Sequence, residues 1–300
     1  MEKSMNFLPT ILMPEIYRPF TGDESFFVSK IEEIAEEGFY RGIEIASIHD
    51  KEKRKQIREV TSASQLIVTQ WMTAIITEQG LNLSAVDEKE RQYAVEEIIK
   101  NIEWANEAGA SNIALVTGPD PGEELRKKAG ENLIKSLSSI CVEAKSYGIE
   151  VLVEPLDRHA HKKMFLGPTE DTYNILSTVK KNHPNIGYAF DTAHAALNEE
   201  EIETAIELAG PLINQLHLSN AVLNPVDPLY GDHHIPLGAP GFLTYERAVS
   251  ILEKVKMQGL FVAKPFRISI EVRTNENENA HSTELQAKQF LKRLLTETNG

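Results

Sequence analysis

Short apolar runs alternate along the chain with longer amphipathic stretches, and this alternation predicts the architecture. The short runs are Leu8–Met13, Gly42–Ala46, Leu66–Trp71, Asn112–Thr117, Glu150–Glu154, Ile186–Asp191, Ile213–Leu218 and Arg267–Val272. They are rich in Ile, Val and Leu and alternate little with polar residues, as expected of strands buried on both faces. Between them the apolar positions fall at helical spacing. Ser25–Glu37 carries Phe26, Phe27, Ile31, Ile34 and Ala35 and stops at Gly38. Asp87–Ala108 stops at Gly109, and Glu123–Tyr147 stops at Gly148. Asn198 is expected to cap Glu199–Ala209, Thr244 to cap Tyr245–Gln258, and Ser282 or Thr283 to start the last helix. A fainter helical pattern covers Asp50–Ser64. These are the polar starts and glycine stops that helices favour.

Eight unbroken strand–helix alternations point to an α/β fold, a (β/α)₈ TIM barrel, rather than an open doubly wound sheet. No Gly-rich dinucleotide loop follows the first strand. The 300 residues suffice for one such barrel, read as a single domain over residues 1–300. The stretch Asn220–Phe242, rich in Pro, Gly, Asp and His, is expected to be a long loop. It follows the seventh strand and so belongs at the mouth of the barrel.

Composition narrows the function classes. A net charge of −14 speaks against a nucleic-acid partner, which calls for a basic patch. The basic run Lys51–Lys55 is interrupted by Glu52 and reads as a solvated helix face. No apolar run approaches the ~18 residues of a membrane span. Met1–Pro9 lacks the basic-then-apolar pattern of a secretory signal. Cys141 is the only cysteine. It rules out a disulfide framework, fits a reducing cytoplasmic setting, and sits in the apolar rhythm of a helix as a core residue.

Four strands end in residues that bind cations. They read Val-Leu-Val-Glu154-Pro, Tyr-Ala-Phe-Asp191-Thr-Ala-His194, Gln-Leu-His217-Leu and Ile-Ser-Ile-Glu271-Val. In a parallel barrel all these ends share one rim. Three carboxylates converging in a partly dry pocket would repel one another, and a divalent ion removes that cost. Three oxygens and one imidazole nitrogen suit Mn²⁺, Mg²⁺, Co²⁺, Fe²⁺ or Zn²⁺. Alone, each residue has an ordinary explanation: a loop salt bridge, a hydrogen-bonded core histidine, a helix cap. Four on successive strands at the same end point to a metal.

The motifs Glu154-Pro-Leu-Asp-Arg158, Asp191-Thr-Ala-His194, His217-Leu-Ser-Asn220 and Ile270-Glu271-Val272 resemble those of the xylose isomerase-like barrel superfamily, within it the sugar phosphate isomerase/epimerase proteins. That group includes ketose 3-epimerases, hydroxypyruvate isomerases and inosose dehydratases, and endonuclease IV shares the fold. The resemblance implies that Glu154, Asp191, His217 and Glu271 hold one divalent ion, Mn²⁺ first. It implies that Glu154 and Glu271 are the catalytic acid–base pair, on opposite faces of a small sugar-like substrate, working through an enediolate. It places His194 beside substrate or a ligand, and Arg158 on Glu154 or substrate. Arg273, on the strand face of Glu271, reads either as a partner for a carboxylate or as a binder of an anionic substrate. Trp71 is expected to wall the pocket. Glu15, Glu44 and His49 are further rim residues without an assigned role. Relatives are often dimers or tetramers, so a homodimer or homotetramer is expected.

The chain also departs from its relatives. Ketose 3-epimerases carry a Glu-Pro-Leu-Asn-Arg-Tyr-Glu type run, and here it reads Glu154-Pro-Leu-Asp-Arg-His-Ala160, with His161 beyond. The loss of that second acid favours a different substrate. The run Gly231-Asp-His-His234-Ile-Pro-Leu-Gly238 resembles the zinc loop of endonuclease IV and also a run in sugar-acting relatives. The third and fourth strands end in Thr69-Gln70-Trp71 and Val116-Thr117-Gly118, without the histidines a three-metal site needs. Asp232 and His234 are therefore expected to face the substrate or brace the mouth. A metal-dependent isomerase or epimerase is the first reading and an inosose-dehydratase-like lyase the alternative. An endonuclease IV-like phosphodiesterase and a non-catalytic sugar-binding barrel follow.

Overall fold

The computed structural model describes residues 7–259 and 266–298. The part of the leader expectation that concerns residues 1–6 lies outside them. Among the described residues there are nine strands: β1 Phe7–Leu12, β2 Gly42–Ala46, β3 Ile67–Trp71, β4 Asn112–Leu115, β5 Glu150–Val153, β6 Ile186–Asp191, β7 Ile213–Val222, β8 Gly231–Ile235 and β9 Phe266–Glu271. Eight of them pair in parallel in the ring order β1-β2-β3-β4-β5-β6-β7-β9. The β6–β7 and β1–β9 pairings close it into the expected (β/α)₈ TIM barrel. β8 is the exception, an antiparallel strand added to β7.

The helices are α1 Met13–Ile16, α2 Glu24–Glu37, α3 Lys51–Ser64, α4 Thr73–Glu78, α5 Glu88–Glu107, α6 Glu123–Ser146, α7 Thr169–Lys180, α8 Thr192–Leu197, α9 Ile202–Ala209, α10 Tyr245–Met257 and α11 Ala280–Thr298. Side-chain oxygens open several of them. Asp23 accepts from the Phe26 amide, Asp50 from Glu52 and Lys53, Asp87 from Lys89 and Glu90, and Thr244 from Arg247. Each acceptor satisfies amides that the first turn leaves without partners. Gly38 ends α2 with φ 69°, a left-handed conformation that glycine adopts without strain.

The eight barrel strands are largely buried on both faces, but the two faces differ. Outward residues such as Ile43, Ile113, Val151, Phe190, Leu216 and Ile268 join the helices in one large apolar cluster. Inside lies a smaller cluster of Leu12, Trp71, Ala114, Leu152 and Ala189. The rest of the inner face is polar. Glu44 of β2 touches Gln215 and His217 of β7, although β1 and β9 separate those strands in the sheet. These side chains therefore meet across the barrel. The expected run of apolar strands thus carries a polar inner stripe at alternate positions.

Several local expectations need correction. Asn198 does not start a helix; it ends α8, and α9 begins after Glu201. The Asn198 side chain is used otherwise, its Oδ1 accepting from the Arg158 amide and its Nδ2 donating to the Leu156 carbonyl. The last helix starts at Ala280 rather than Ser282 or Thr283, because the Asn279 side chain accepts from the amides of His281 and Ser282. The basic run on α3 is not wholly solvated. Arg54 is buried, donates to the Ile48 and His49 carbonyls, and lies over the Trp104 ring. Cys141 is buried as expected, and burial pushes its thiol up to about 12.

The stretch Asn220–Phe242 is not a plain loop. The end of β7 and all of β8 form a hairpin within it. Asn220 anchors its return: Nδ2 donates to the carbonyls of Pro236 and Gly238, and Oδ1 accepts from the Leu243 amide. A side chain at Gly241 would place its Cβ 2.2 Å from Asn220 Oδ1. We expect Asn220→Ala to cost about 2–3 kcal/mol, the sum of these bonds at ~1 kcal/mol each. Native-state hydrogen exchange should then show faster opening of residues 231–243 than of the barrel strands.

Candidate metal centre

The register of the inner face assembles the site. Asp191 of β6 stands opposite His217 of β7, and Ser219 of β7 opposite Glu271 of β9. Glu154 follows β5 directly. Glu154, Asp191, His217 and Glu271 each place one ligand-type atom within 4.8 Å of the others, and all four residues are buried. Atoms gripping one ion at ~2.1 Å stand no more than ~4.2 Å apart, so small side-chain adjustments suffice.

The residues present fit a cation on three further grounds. Asp191 Oδ1 accepts from the His194 amide at 2.9 Å, while Asp191 Oδ2 is buried with no hydrogen-bond partner among the described residues. His217 Nδ1 faces two carboxylates, Glu271 Oε2 at 2.6 Å and Glu154 Oε1 at 3.5 Å. The donor set of oxygens with one imidazole suits a divalent ion without selecting one.

Without a cation the charges strain against each other. Burial pushes the Asp191 carboxyl well above its usual range; the Glu271 and Glu154 charges add to this and His194 opposes it. Burial and the nearby Glu271 charge likewise raise Glu154, against the pull of His217. Burial would also raise Glu271, but His217 and His234 outweigh it and hold that carboxyl well below the usual range. Burial disfavours a charged His217, yet Glu44 and Glu271 raise it well above an ordinary histidine.

A second network covers the first. His234 on β8 sets Nδ1 2.9 Å from Glu271 Oε1. His234 Nε2 lies 3.4 Å from Asp232 Oδ2, and His194 Nε2 lies 3.7 Å from the same oxygen. Lys162 Nζ reaches it at 3.0 Å. His194 Nδ1 lies 3.4 Å from Asp157 Oδ2, and Asp157 Oδ1 accepts from the amides of His161 and Lys162. Burial lowers the His194 imidazole, but Asp232, the Asp157 contact and Asp191 overcome it and raise it to about 10. Asp157 is held at about 2, its burial outweighed by His194 and the two loop amides.

The other expected residues divide. Trp71 is buried inside the barrel beside the site; its ring is 5.2 Å from that of His217 and its Nε1 donates to Glu44. Arg158 is turned away: its guanidinium donates to the Phe165 carbonyl and pairs with Asp171 at 2.7 Å. Arg273 pairs with Glu15 through Nε at 2.5 Å, and its amide donates to the His234 carbonyl. His49 packs edge-on to Trp104, and its amide donates to Glu24. Sequence reasoning left Glu44 and Asp157 without roles, though both are almost fully buried inside the mouth. The signal for Glu44 was a lone acid in Gly-Ile-Glu-Ile-Ala, at the alternate position that faces inward.

A closed parallel barrel with a carboxylate–histidine cluster at its C-terminal rim defines the class. The chain belongs to the xylose isomerase-like TIM barrel family, whose model matches residues 31–294. Among solved structures it resembles a D-tagatose 3-epimerase-like protein, at 20% identity and TM-score 0.73 over 98% of each chain. It also resembles the IolI protein with a bound zinc atom, at 14% identity and TM-score 0.72 over 97% of this chain and 99% of that one. A third similar structure is 3-keto-D-glucoside 4-epimerase from E. coli, at 15% identity and TM-score 0.65 over 98% of this chain and all of that one. At these identities the likeness is one of fold. No curated protein matches in sequence. No helix among the described residues is long and apolar enough to cross a membrane.

The raised His194 gives a pH prediction for the chelated protein. The folded state keeps a proton that the unfolded chain gives up above 6.5, so this contribution is complete below 6.5 and fades as pH rises toward 10. The urea midpoint of metal-stripped protein should fall across that window. His194→Asn should flatten the fall by up to about 1.4 kcal/mol per pH unit, the value for one proton.

Proposed function

We propose that this chain is an enzyme, a divalent-metal-dependent isomerase or epimerase acting on a sugar or sugar phosphate. The convergence of Glu154 and Glu271 on His217 and Asp191 carries the reading. A bound divalent ion would polarise a substrate carbonyl and stabilise the charge that develops beside it. The chain supplies the proton chemistry. Glu154 rises from β5 and Glu271 from β9, with β6 and β7 between them, so the two carboxyls approach a substrate from different sides. Their surroundings differ, Glu271 facing both His217 and His234 and Glu154 facing His217, an asymmetry of the kind an acid–base pair uses. One removes a proton from carbon and the other returns one.

His194 and His234 supply hydrogen-bonding groups at the mouth, where a polyol needs them. Trp71 gives an apolar floor for C–H faces. Arg273 and Arg158 are already paired with Glu15 and Asp171, which assigns them to shaping the mouth. The net charge supports a small-molecule partner over nucleic acid. Ala160 stands where ketose 3-epimerases carry an acid, which keeps a second reading, elimination of water from an inosose-like substrate by the same groups.

The decisive experiment is incubation in D₂O with Mn²⁺ and a panel of ketoses, inososes and hydroxypyruvate. Deuterium should enter one substrate C–H bond with isomerised or epimerised product. Glu154→Gln and Glu271→Gln should each slow that exchange by about 10³-fold while sugar binding persists. Turnover of a phosphodiester without C–H exchange would overturn the assignment, and a dehydrated product would select the lyase reading.

A further inference from the structure

Glu44 is 1% exposed and stands outside the four converging ligand atoms, yet it touches one of them. Its Oε2 accepts from Trp71 Nε1 at 2.8 Å and from Gln215 Nε2 at 2.5 Å, and lies 2.9 Å from His217 Nε2. Its Oε1 accepts from Thr10 Oγ1 at 2.9 Å. Donors from β1, β3 and β7 thus hold one buried carboxylate. The other edge of the His217 ring is different: Nδ1 faces Glu271 Oε2 at 2.6 Å and Glu154 Oε1 at 3.5 Å.

We propose that Glu44 is a positioning residue that keeps the Nε2 proton on His217 and so turns the Nδ1 lone pair toward the cation. The inference rests on the metal-centre reading above and assigns Glu44 a place in it. Two acceptors cannot face each other at 2.9 Å without repulsion, and the Gln215 Nε2 amide, 3.0 Å from the same ring nitrogen, is drawn more closely to Glu44 Oε2 at 2.5 Å. An N–H on His217 Nε2 turns the Glu44 contact into a charge-assisted hydrogen bond. A neutral imidazole with hydrogen on Nε2 has its lone pair on Nδ1, the nitrogen among the other ligands. The carboxylate behind the ring also makes Nδ1 more basic, and loss of such a partner typically weakens metal binding 10–100-fold. Glu44 gains the geometry for this from Thr10, Trp71 and Gln215, which leave its side chain one orientation.

The test uses full-length protein stripped of metal, titrated with Zn²⁺ and Mn²⁺ by calorimetry. Glu44→Gln keeps the shape and should still bind one ion per chain, about 10–100-fold more weakly. Thr10→Val removes a donor from the far oxygen and should weaken affinity by less than Glu44→Gln does, because Trp71 and Gln215 still hold the near one. In ¹⁵N spectra of the Zn²⁺-loaded wild type, His217 should show a protonated Nε2 and a metal-shifted Nδ1. Wild-type affinity in Glu44→Gln, or a ring ligated through Nε2, would overturn the proposal and leave the metal centre standing. A wild type that binds no ion would overturn both. The wild-type spectrum decides even if Glu44→Gln fails to fold.

Discussion

Three buried carboxylates gathered around one imidazole are the constraint on which the rest of this structure depends. Nothing in apolar packing would bring Glu154, Asp191 and Glu271 to within 4.8 Å of a common set of atoms. Each is removed from water, and each repels the others. His217 offsets part of this, because its Nδ1 faces Glu154 and Glu271 while its Nε2 faces Glu44. One imidazole cannot balance four acids. Removing a single partner from such a cluster would leave a buried charge uncompensated, which is costlier than removing all of it.

The barrel tolerates this cluster because its two strand faces are assigned different work. The outward face, with the helices, holds the large apolar cluster and with it the hydrophobic stabilisation. The inward face is thereby free to be polar. Period-two alternation places Gln215, His217 and Ser219 on one side of β7 and Leu216 and Leu218 on the other. A slip of one residue in β7 would send His217 among the helices and Leu216 into the site. The register of Asp191 against His217, and of Ser219 against Glu271, is therefore as much a part of the site as the side chains.

Much of this was legible in the sequence. Eight apolar runs and their glycine stops marked the barrel, and residues at the ends of strands marked the rim. What was not legible came from contacts distant in the chain. Asn198 has the composition of a helix start, but the Arg158 amide and the Leu156 carbonyl claim its side chain. Asn220–Phe242 has the composition of a loop, but a hairpin to β7 and the Asn220 side chain order it. Arg158 matched a motif position and Arg273 lay on the strand face of Glu271, and only the fold shows that Asp171 and Glu15 engage them. Glu44 lies 173 residues from His217 and joins it only when the barrel closes.

The departures from the family run around Glu154 become coherent in the same terms. Ala160 removes an acid from the mouth, and Asp157 introduces one where the ketose 3-epimerase run has an amide. The new carboxylate is fully buried and is not idle. It accepts from the loop amides of His161 and Lys162 and faces His194, while Lys162 and His194 in turn reach Asp232. Asp232 and His234 ride on β8, and His234 ends on Glu271. Asp157 thus helps tie the β5 loop to the β8 hairpin. Glu271 is thereby met by His234 on one oxygen and by His217 on the other, so β7 and the β8 hairpin fix the same carboxylate, and a shift of the hairpin would be felt at the metal cluster.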